Sequence, residues 1–277
     1  MPKLLSQSQV DSFRRNGYHF PVRVFSQREA AELRAALEQH EAATGAPLQG
    51  KWRVKSHLLF TWADRIVHHP AVVDAVEDLL GPNILCWTSN FFIKEAASPG
   101  FVSWHQDAAY WGLDPEEVVT AWVALSAASL ESGCMKVVPG SHFDSHIPHV
   151  DTFAENNLLT RGQEIAVEVD ESKAVSMMLA PGEMSLHHIR LVHGSAPNHS
   201  SDRRIGLAIR YLPTRVRQTQ GRDSAMLVRG VDEHGHFDPE PRPREDLGEA
   251  ERRAHADAVE RKVAVLYRGT DKTQLPA

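Results

Sequence analysis

The segment SWHQDAAYWG, residues 103–112, carries an imidazole and a carboxylate two positions apart. Side chains on a β-strand alternate between its two faces, so His105 and Asp107 would point to one side and Gln106 to the other. A neutral histidine and an ionised aspartate that converge in this way are two of the three ligands of a 2-His-1-carboxylate iron(II) site. The pattern therefore predicts a metal centre, provided that the fold adds a second histidine.

The second histidine must be selected by position, because the chain contains 16 of them. Those at 142–149 follow a Pro-Gly turn or lie in a polar loop, which is typical of surface residues. His187 and His188 lie inside the predicted strand MSLHHIRLVHG, and His193 lies at its end. Small-molecule sites favour the mouths of β-barrels, where strands end. His193 is therefore the preferred ligand, with His187 and His188 as alternatives.

An arginine follows this histidine in the segment HGSAPNHSSDRRIGLAIRY. If the strands on either side of the polar turn pair as a hairpin, Arg204 returns to the neighbourhood of His193. A dicarboxylate co-substrate needs such an arrangement, because one end chelates the metal and the other forms a bidentate ion pair with the guanidinium. Three protein ligands leave three positions open, enough for a bidentate 2-oxo acid and dioxygen.

The surrounding sequence predicts a β-rich protein with helices packed outside the sheets. Ser6 with Gln9 and Ser26 with Glu29 fit capping boxes ahead of helices, and residues 17–25 alternate enough for a short strand. A further helix is predicted over 69–82, and a C-terminal helix over about 247–268 with Gly269 as its cap. The core strands, at about 83–215, are separated by turn signals without βαβ helices, which indicates an antiparallel jelly roll. They are ILCWTSNFFIK, VVTAWVALS, CMKVVPGSH, GEMSLHHIRLVHG and RRIGLAIRYLP.

The composition is typical of a folded globular protein, with 42% hydrophobic and 24% charged residues. A formal net charge of -6 argues against general binding to nucleic acid or to an anionic membrane. Cys86 and Cys134 cannot build a disulfide framework, which favours a reducing compartment. No signal peptide or membrane-spanning stretch is visible in the sequence. We therefore expect residues 1–277 to be a single cytoplasmic domain that acts on a small molecule, and its amphipathic C-terminal helix could serve in a homodimer.

Together these motifs resemble the phytanoyl-CoA dioxygenase family of iron(II)- and 2-oxoglutarate-dependent oxygenases. The similarity runs over about residues 10–215 and is carried by WHQDAAYWGL, TAWVALSAASLESGCMKVVPGSH and PGEMSLHHIRLVHGSAPNHSSDRRIGLAIRY. The resemblance implies a double-stranded β-helix of the jelly-roll, cupin-like class that uses Fe(II), 2-oxoglutarate and O2. It also implies that the metal ligands are His105, Asp107 and His193, and that the co-substrate contacts are Arg204, Ser195 and Trp122. For Trp122, a plain core position in its strand fits equally well.

The reaction that this resemblance implies is oxidative decarboxylation of 2-oxoglutarate to succinate and carbon dioxide, coupled to hydroxylation of an aliphatic substrate carbon. Relatives that halogenate carbon have a small residue in place of the carboxylate ligand. Asp107 occupies that position here, so hydroxylation is favoured.

Substrate contacts are predicted from residues near the metal motif that the three ligands leave unused. If Asn90 faces the interior, Phe92 and Lys94 share that face by strand period, although a lysine near a strand end is more often solvated. The density of arginines around residues 203–222 favours an anionic substrate such as a carboxylate or phosphonate, although ion pairs with acidic residues are the default role of such arginines. The candidate contacts are Lys55, His57, Asn90, Phe92, Lys94, Tyr110, His188 and Arg210.

Two other classes of function remain open from the sequence alone. A cupin-like metal enzyme, such as an isomerase or a zinc hydrolase, would keep the histidines but have no use for Arg204. A non-catalytic binding or sensing protein on the same scaffold would have no chemical reason to keep the complete set of ligands and the arginine.

Overall fold

The computed structural model describes residues 2–109, 111–144, 146–159 and 161–267. The helices in these ranges are α1 (Gln7–Asn16), α2 (Gln27–Thr44), α3 (Thr61–Val67), α4 (Pro70–Leu80) and α5 (Glu249–Leu266). None of them combines the length and the apolar character that crossing a bilayer requires. The strands are β1 (Tyr18–Arg23), β2 (Ile84–Lys94), β3 (Val102–His105), β4 (Leu113–Asp114), β5 (Val119–Ala124), β6 (Met135–Val137), β7 (His149–Asp151), β8 (Gln163–Ile165), β9 (Val175–Met177), β10 (Glu183–His188), β11 (His193–Ser195), β12 (Arg204–Pro213), β13 (Arg217–Gln218), β14 (Ser224–Arg229) and β15 (Asp238–Pro239).

Most of these strands form two sheets that enclose the interior of the protein. The major sheet has the order β1-β10-β5-β12-β2-β14-β15, and the minor sheet has the order β3-β11-β6-β9. Consecutive core strands repeatedly change sheet: β2, β5, β10 and β12 belong to the major sheet, and β3, β6 and β11 to the minor one. This connectivity is that of a double-stranded β-helix. The predicted fold class, mainly β with flanking helices, is confirmed.

The alternation of side chains along β12 separates the packing face of the major sheet from its functional face. Ile205, Leu207 and Ile209 belong to the hydrophobic core that also contains residues of α1, α2, α3 and α4. Arg204 and Arg210 have the opposite parity and line the interior between the sheets. Strand β12 therefore packs against the helices with one face and directs two guanidinium groups into the interior with the other.

Most of the predicted elements are present, and the chain adds strands beyond the predicted core. Both capping boxes form, and residues 18–23 are a strand that extends the major sheet by pairing with β10. The core does not end near residue 215, because β14 pairs with β2 and was not predicted. Its sequence, SAMLVR, is short and lies in a polar, arginine-rich context. Helix α5 agrees with its prediction, and Gly269 lies outside the described residues.

The segment GEMSLHHIRLVHG was expected to be one strand, and that expectation is wrong. Strand β10 ends at His188, the chain turns, and β11 begins at His193 in the other sheet. The turn is anchored by a hydrogen bond from the Leu191 N–H to the His188 carbonyl at 2.9 Å and by one from the Val138 N–H to the Val192 carbonyl at 2.9 Å. The passage of the chain from one sheet to the other cannot be read from the apolar residues of this segment, because both strands and most of the turn between them are buried.

Candidate metal and co-substrate site

Two histidines face each other across the minor sheet. Strands β3 and β11 are antiparallel, and their register places His193 directly opposite His105, with ring centroids 4.1 Å apart. Each ring donates its Nδ1–H to the backbone carbonyl two residues earlier, Ser103 for His105 and Leu191 for His193, both at 2.9 Å. Donation from Nδ1 leaves the Nε2 lone pair of each ring available to a metal, which is the usual support of a ligating histidine.

The aspartate reaches the same place from a turn and not from the strand. Strand β3 ends at His105, and a 3-10 turn begins at Asp107, so the expected alternation along one strand is not what joins these side chains. The side chain of Gln106 fixes the turn, because its Nε2 donates to the Arg190 carbonyl at 2.9 Å. The Asp107 Oδ1 then lies 3.4 Å from the His105 Nε2.

The donor set of this cluster suits a divalent metal such as iron(II). The ligand atoms of His105, Asp107 and His193 all lie within 4.8 Å of one another, and the three side chains are buried. Burial lowers the pKa of His193 well below its ordinary value, so its ring is neutral. Burial alone would raise the pKa of Asp107, but hydrogen bonding to His105 and the nearby charges hold it below its usual range. The Asp107 Oδ2 has no hydrogen-bond partner among the described residues, as expected of an atom that awaits a ligand.

A third histidine lies beside this cluster. The His187 Nε2 is 3.9 Å from the Asp107 Oδ2, and its ring centroid is 4.7 Å from that of His193. Burial lowers the pKa of His187 to about 4. His188 has the opposite parity on β10 and lies with its ring 5.4 Å from that of His142. The expectation that His142 lies on the surface is wrong, since it is only 6% exposed.

The arginine that the sequence placed near the metal motif is buried in the interior. Arg204 is 3% exposed, donates from Nη1 to the Gly133 carbonyl at 2.8 Å and has no carboxylate partner in the described part of the chain. Burial lowers the pKa of its guanidinium to about 10. It lines the same cavity as His193, although the expected hairpin does not exist, because β11 and β12 belong to different sheets. The two residues meet because the sheets enclose a common space.

Lys94 adds a second buried basic side chain next to this arginine. Lys94 lies directly opposite Arg204 in the backbone register of the antiparallel pair β2–β12. Its Nζ donates to the Ser195 Oγ at 2.7 Å and to the Ala196 carbonyl. The expectation of a solvated lysine is wrong, since Lys94 is 1% exposed. Burial, followed by the charge of Arg204, lowers its pKa to about 6. Two neighbouring basic side chains, neither with a carboxylate partner among the described residues, fit the distal carboxylate of a keto-diacid.

Trp122 forms a wall beside the arginine. The Arg204 Cζ lies 5.2 Å from the Trp122 ring centroid. The indole covers Gly206 so closely that a Cβ there would lie 1.9 Å from the ring, so a glycine is required. Trp122 is also part of a small hydrophobic core, so it packs as a core residue and lines the space beside Arg204. We call this space the Arg204 cavity; its lining includes His105, Trp122, His187, His193, Ser195 and Arg204.

A second cavity adjoins the first on the aspartate side of the metal cluster. We call this space the Lys262 cavity; its lining includes Arg53, Thr88, Asn90, Asp107, Trp111 and Lys262. Phe92, Leu159 and Arg210 line both cavities. The Arg210 Cζ lies 5.5 Å from the Phe92 ring centroid and 5.4 Å from that of Trp111. The predicted common face of Asn90, Phe92 and Lys94 is therefore confirmed, and it points to the interior.

Lys55 and His57 are buried away from both cavities. The Lys55 Nζ donates to the Trp87 carbonyl at 2.7 Å and pairs with Glu240, and the His57 Nδ1 lies 2.8 Å from the Ser89 Oγ. The side chains of Ser89 and Asn90 point to opposite faces of β2, so Ser89 and its partner His57 lie on the face of the sheet away from the cavities. Tyr110 lies outside the described residues.

Two cationic residues of the Lys262 cavity, Arg53 and Lys262, were not identified from the sequence. A signal for Lys262 exists in α5, where it interrupts a buried stripe with Ala258, Val265 and Leu266. A lysine within such a stripe is unusual and needs a partner or a function. Arg53 carries no comparable signal, because it stands among other basic residues in KWRVK.

A jelly roll whose interior holds two histidines and an aspartate beside a buried arginine defines the class of Fe(II)- and 2-oxoglutarate-dependent oxygenases. The model of the phytanoyl-CoA dioxygenase (PhyH) family matches residues 13–206. The chain belongs to this family, and the resemblance seen in the sequence is confirmed. Iron(II) and 2-oxoglutarate are the cofactors of the class.

Individual relatives agree with this assignment. A "Probable alpha-ketoglutarate-dependent hypophosphite dioxygenase" of Stutzerimonas stutzeri is 32% identical over 177 residues, which cover 62% of this chain and 61% of that relative. The solved structure described as "non-heme monooxygenase; ThoJ apo" shares 40% identity, with a TM-score of 0.82 and coverage of 92% of this chain and 95% of that one. "CytC3 with Fe(II) and alpha-ketoglutarate" is 25% identical, with a TM-score of 0.66 and coverage of 88% and 96%. The chain spans 39% to 61% of the length of the curated relatives it matches.

Proposed function

We propose that this protein hydroxylates an aliphatic carbon of a small anionic metabolite, such as a carboxylate or a phosphonate, with conversion of 2-oxoglutarate to succinate and carbon dioxide. The observation that carries the proposal is the position of the metal cluster between two cavities. His105 and His193 line the Arg204 cavity, and Asp107 lines the Lys262 cavity. Co-substrate and substrate would therefore approach the same metal from different sides.

In this proposal His105, Asp107 and His193 hold iron(II), which supplies the oxidation chemistry of the class when it is bound. The co-substrate is held at its distal carboxylate by Arg204 and Ser195. The side chain of Trp122 closes the wall against which the carbon chain lies, and the buried setting excludes water from the reacting groups.

The choice of an anionic substrate rests on the charge of the Lys262 cavity and on the names of relatives. Arg210 faces that cavity together with Asn90 and Phe92, so these three candidate contacts are retained. Relatives include a probable hypophosphite dioxygenase and an "L-proline trans-4-hydroxylase" of Streptomyces griseoviridis, the latter 28% identical over 167 residues. Both named compounds carry an acidic group. Lys55, His57 and His188 are not proposed as substrate contacts, because neither cavity includes them, and Tyr110 stays a prediction.

The test is an anaerobic titration of the iron(II) protein with 2-oxoglutarate, followed by admission of oxygen. We expect a weak visible charge-transfer absorption on titration, then succinate release that is stimulated by one member of a panel of carboxylates, amino acids, phosphonates and acyl-CoAs. Folded protein that shows neither the absorption nor succinate would remove the proposal. Arg204 is buried and has no carboxylate partner within the described ranges, which favours this function over a cupin-like enzyme that does not use 2-oxoglutarate.

The single-domain organisation, the cytoplasmic location, the homodimer and the lack of binding to nucleic acid or membrane stay predictions. The α5 face proposed for the dimer is already used in part within the chain, since Ala258 and Val259 are buried. Sedimentation equilibrium of the full chain would decide the oligomeric state.

A further inference from the structure

The lining of the Lys262 cavity is rich in basic side chains. Three basic side chains, Arg53, Arg210 and Lys262, line it, and Asp107 is the carboxylate among its described lining residues. Because Asp107 belongs to the metal cluster, its charge is committed to the metal. The remaining charge of the lining is therefore positive, which disfavours a neutral or cationic occupant.

Lys262 is the least expected of these groups, because it reaches the cavity from the C-terminal helix. It is 4% exposed, and its Nζ lies 3.5 Å above the centroid of the Trp87 ring. No described residue forms a hydrogen bond or an ion pair with this ammonium group. Asp223 is the nearest acidic influence, but its two oxygens accept hydrogen bonds from the Trp87 Nε1 at 2.6 Å and from the Ser224 N–H at 2.8 Å.

The surroundings of Lys262 disfavour its charged form. Burial is the largest influence and brings its pKa down to about 7; Asp223 and Glu240 raise the pKa, whereas Lys55 and Arg210 lower it. A buried ammonium that is destabilised in this way gains most from a bound anion.

Arg53 is in a similar situation in the lining of the same cavity. It ends the 3-10 turn Gly50–Arg53, burial lowers its pKa, and no described residue accepts a hydrogen bond from its guanidinium. Arg210 contacts two aromatic rings, and its charge contributes to the lowered pKa of Asp107. The three basic side chains thus share the cavity that Asp107 also lines.

We propose that Lys262 and Arg53, together with Arg210, bind the oxyanion of the substrate in the Lys262 cavity, so that helix α5 carries a determinant of substrate specificity. This inference rests on the proposed function and deepens it. Lys262 lies outside residues 13–206, the region that the family model matches. The recognised chemistry is a carboxylate or a tetrahedral phosphorus oxyanion.

The test measures binding of acetate, methylphosphonate and the neutral isosteres acetamide and dimethyl sulfone by ligand-observed NMR. The protein is the anaerobic iron(II) form at saturating 2-oxoglutarate, so that Arg204 is already occupied. We expect the wild type to bind at least one anion about tenfold or more tightly than its neutral isostere. Whichever of acetate and methylphosphonate binds more tightly identifies a carboxylate or a phosphorus oxyanion as the preferred group.

The informative variant is Lys262→Met, which keeps the apolar stem against Trp87 and removes the charge. It should weaken anion binding by about tenfold or more, leave binding of the neutral isosteres unchanged and leave the 2-oxoglutarate absorption intact. The matched control is Arg253→Met, which removes a charge from an exposed position of the same helix and should bind anions like the wild type. Because Lys262 is a buried cation, its replacement should not lower the thermal stability.

Three outcomes would overturn the inference. They are a wild type that binds neither anion, a wild type that binds the neutral isosteres equally well, and a Lys262→Met protein that keeps full anion affinity. A Lys262→Met protein that loses stability but not affinity would show a purely structural contact with Trp87. Failure of the proposed function is recognised separately, since it removes the 2-oxoglutarate absorption from the wild type itself.

Discussion

Replacing Arg204 by leucine tests the co-substrate half of the site. The guanidinium is buried, contacts Trp122, and donates to the Gly133 carbonyl, but it has no acidic partner in the described ranges. Arg204→Leu removes the charge and the fork of donors while keeping an apolar side chain in the cavity. The expected result is a large rise in the dissociation constant for 2-oxoglutarate.

The size of this effect can be worked out from the neighbouring lysine. Loss of one partner of a buried, charged contact costs about 2–5 kcal/mol, which corresponds to about 30-fold to about 4,000-fold in affinity. Lys94 limits the loss, because its lowered pKa is due in part to the charge of Arg204. Without that charge the pKa of Lys94 rises, the lysine takes up a proton, and one positive group remains for the carboxylate. We therefore expect the lower end of the range, with a further loss in the double variant with Lys94→Met.

The assay is the anaerobic 2-oxoglutarate titration, followed by visible absorption of the iron(II) protein. The matched control is Arg203→Leu, the preceding arginine, which faces the other side of the sheet and pairs with Glu41 and Glu95. It should bind 2-oxoglutarate like the wild type. If Arg204→Leu also keeps the wild-type dissociation constant, the assignment of the Arg204 cavity to the co-substrate is refuted.

Three further predictions follow from charges elsewhere in the molecule. Asp107→Ala should weaken retention of iron(II) in equilibrium dialysis, because one of three ligands is lost, whereas Asp114→Ala at an exposed position should retain it like the wild type. Glu240→Gln should lower the free energy of unfolding in urea by about 3–5 kcal/mol, because it leaves the Lys55 ammonium buried without its carboxylate; an unchanged midpoint would contradict this. Because protonated Lys262 is the form that attracts an anion, the dissociation constant of acetate should rise as the pH passes above the lysine's pKa of about 7 and level off near the value of Lys262→Met, and Lys262→Arg should remove this dependence.

The ligand residues were predictable from the sequence, but the reason for their convergence was not. Residue types and spacing selected His105, Asp107 and His193, and the structure brings their ligand atoms together. The expected cause was alternation along one strand. The actual causes are a cross-strand pair between two short strands and a turn at the end of one of them. Strands of three or four residues carry too little pattern to reveal which strand pairs with which.

The substrate side was less predictable because its residues come from distant elements. Asn90 and Phe92 followed from strand period once β2 was recognised, since alternation is a local property. Arg53 precedes the sheets and Lys262 follows them, and their meeting depends on how a turn and a helix pack on the finished jelly roll. Lys55 and His57 show that closeness in sequence is not sufficient either, because they follow Arg53 closely in the chain but do not line its cavity.

The positions of two arginines on strand β12 bear on how the protein would bind a co-substrate anion and a substrate anion together. Arg204 and Arg210 share the inner face of this strand, six residues apart, which corresponds to about 20 Å along an extended chain. In the proposed function, the distal carboxylate of 2-oxoglutarate lies in the Arg204 cavity and the substrate anion lies in the Lys262 cavity, on the Asp107 side. Arg210 lines both cavities, whereas Arg204 belongs to the lining of the first, and Arg53 and Lys262 belong to the lining of the second. The proposed distinction between co-substrate and substrate therefore depends on these three other basic residues more than on Arg210.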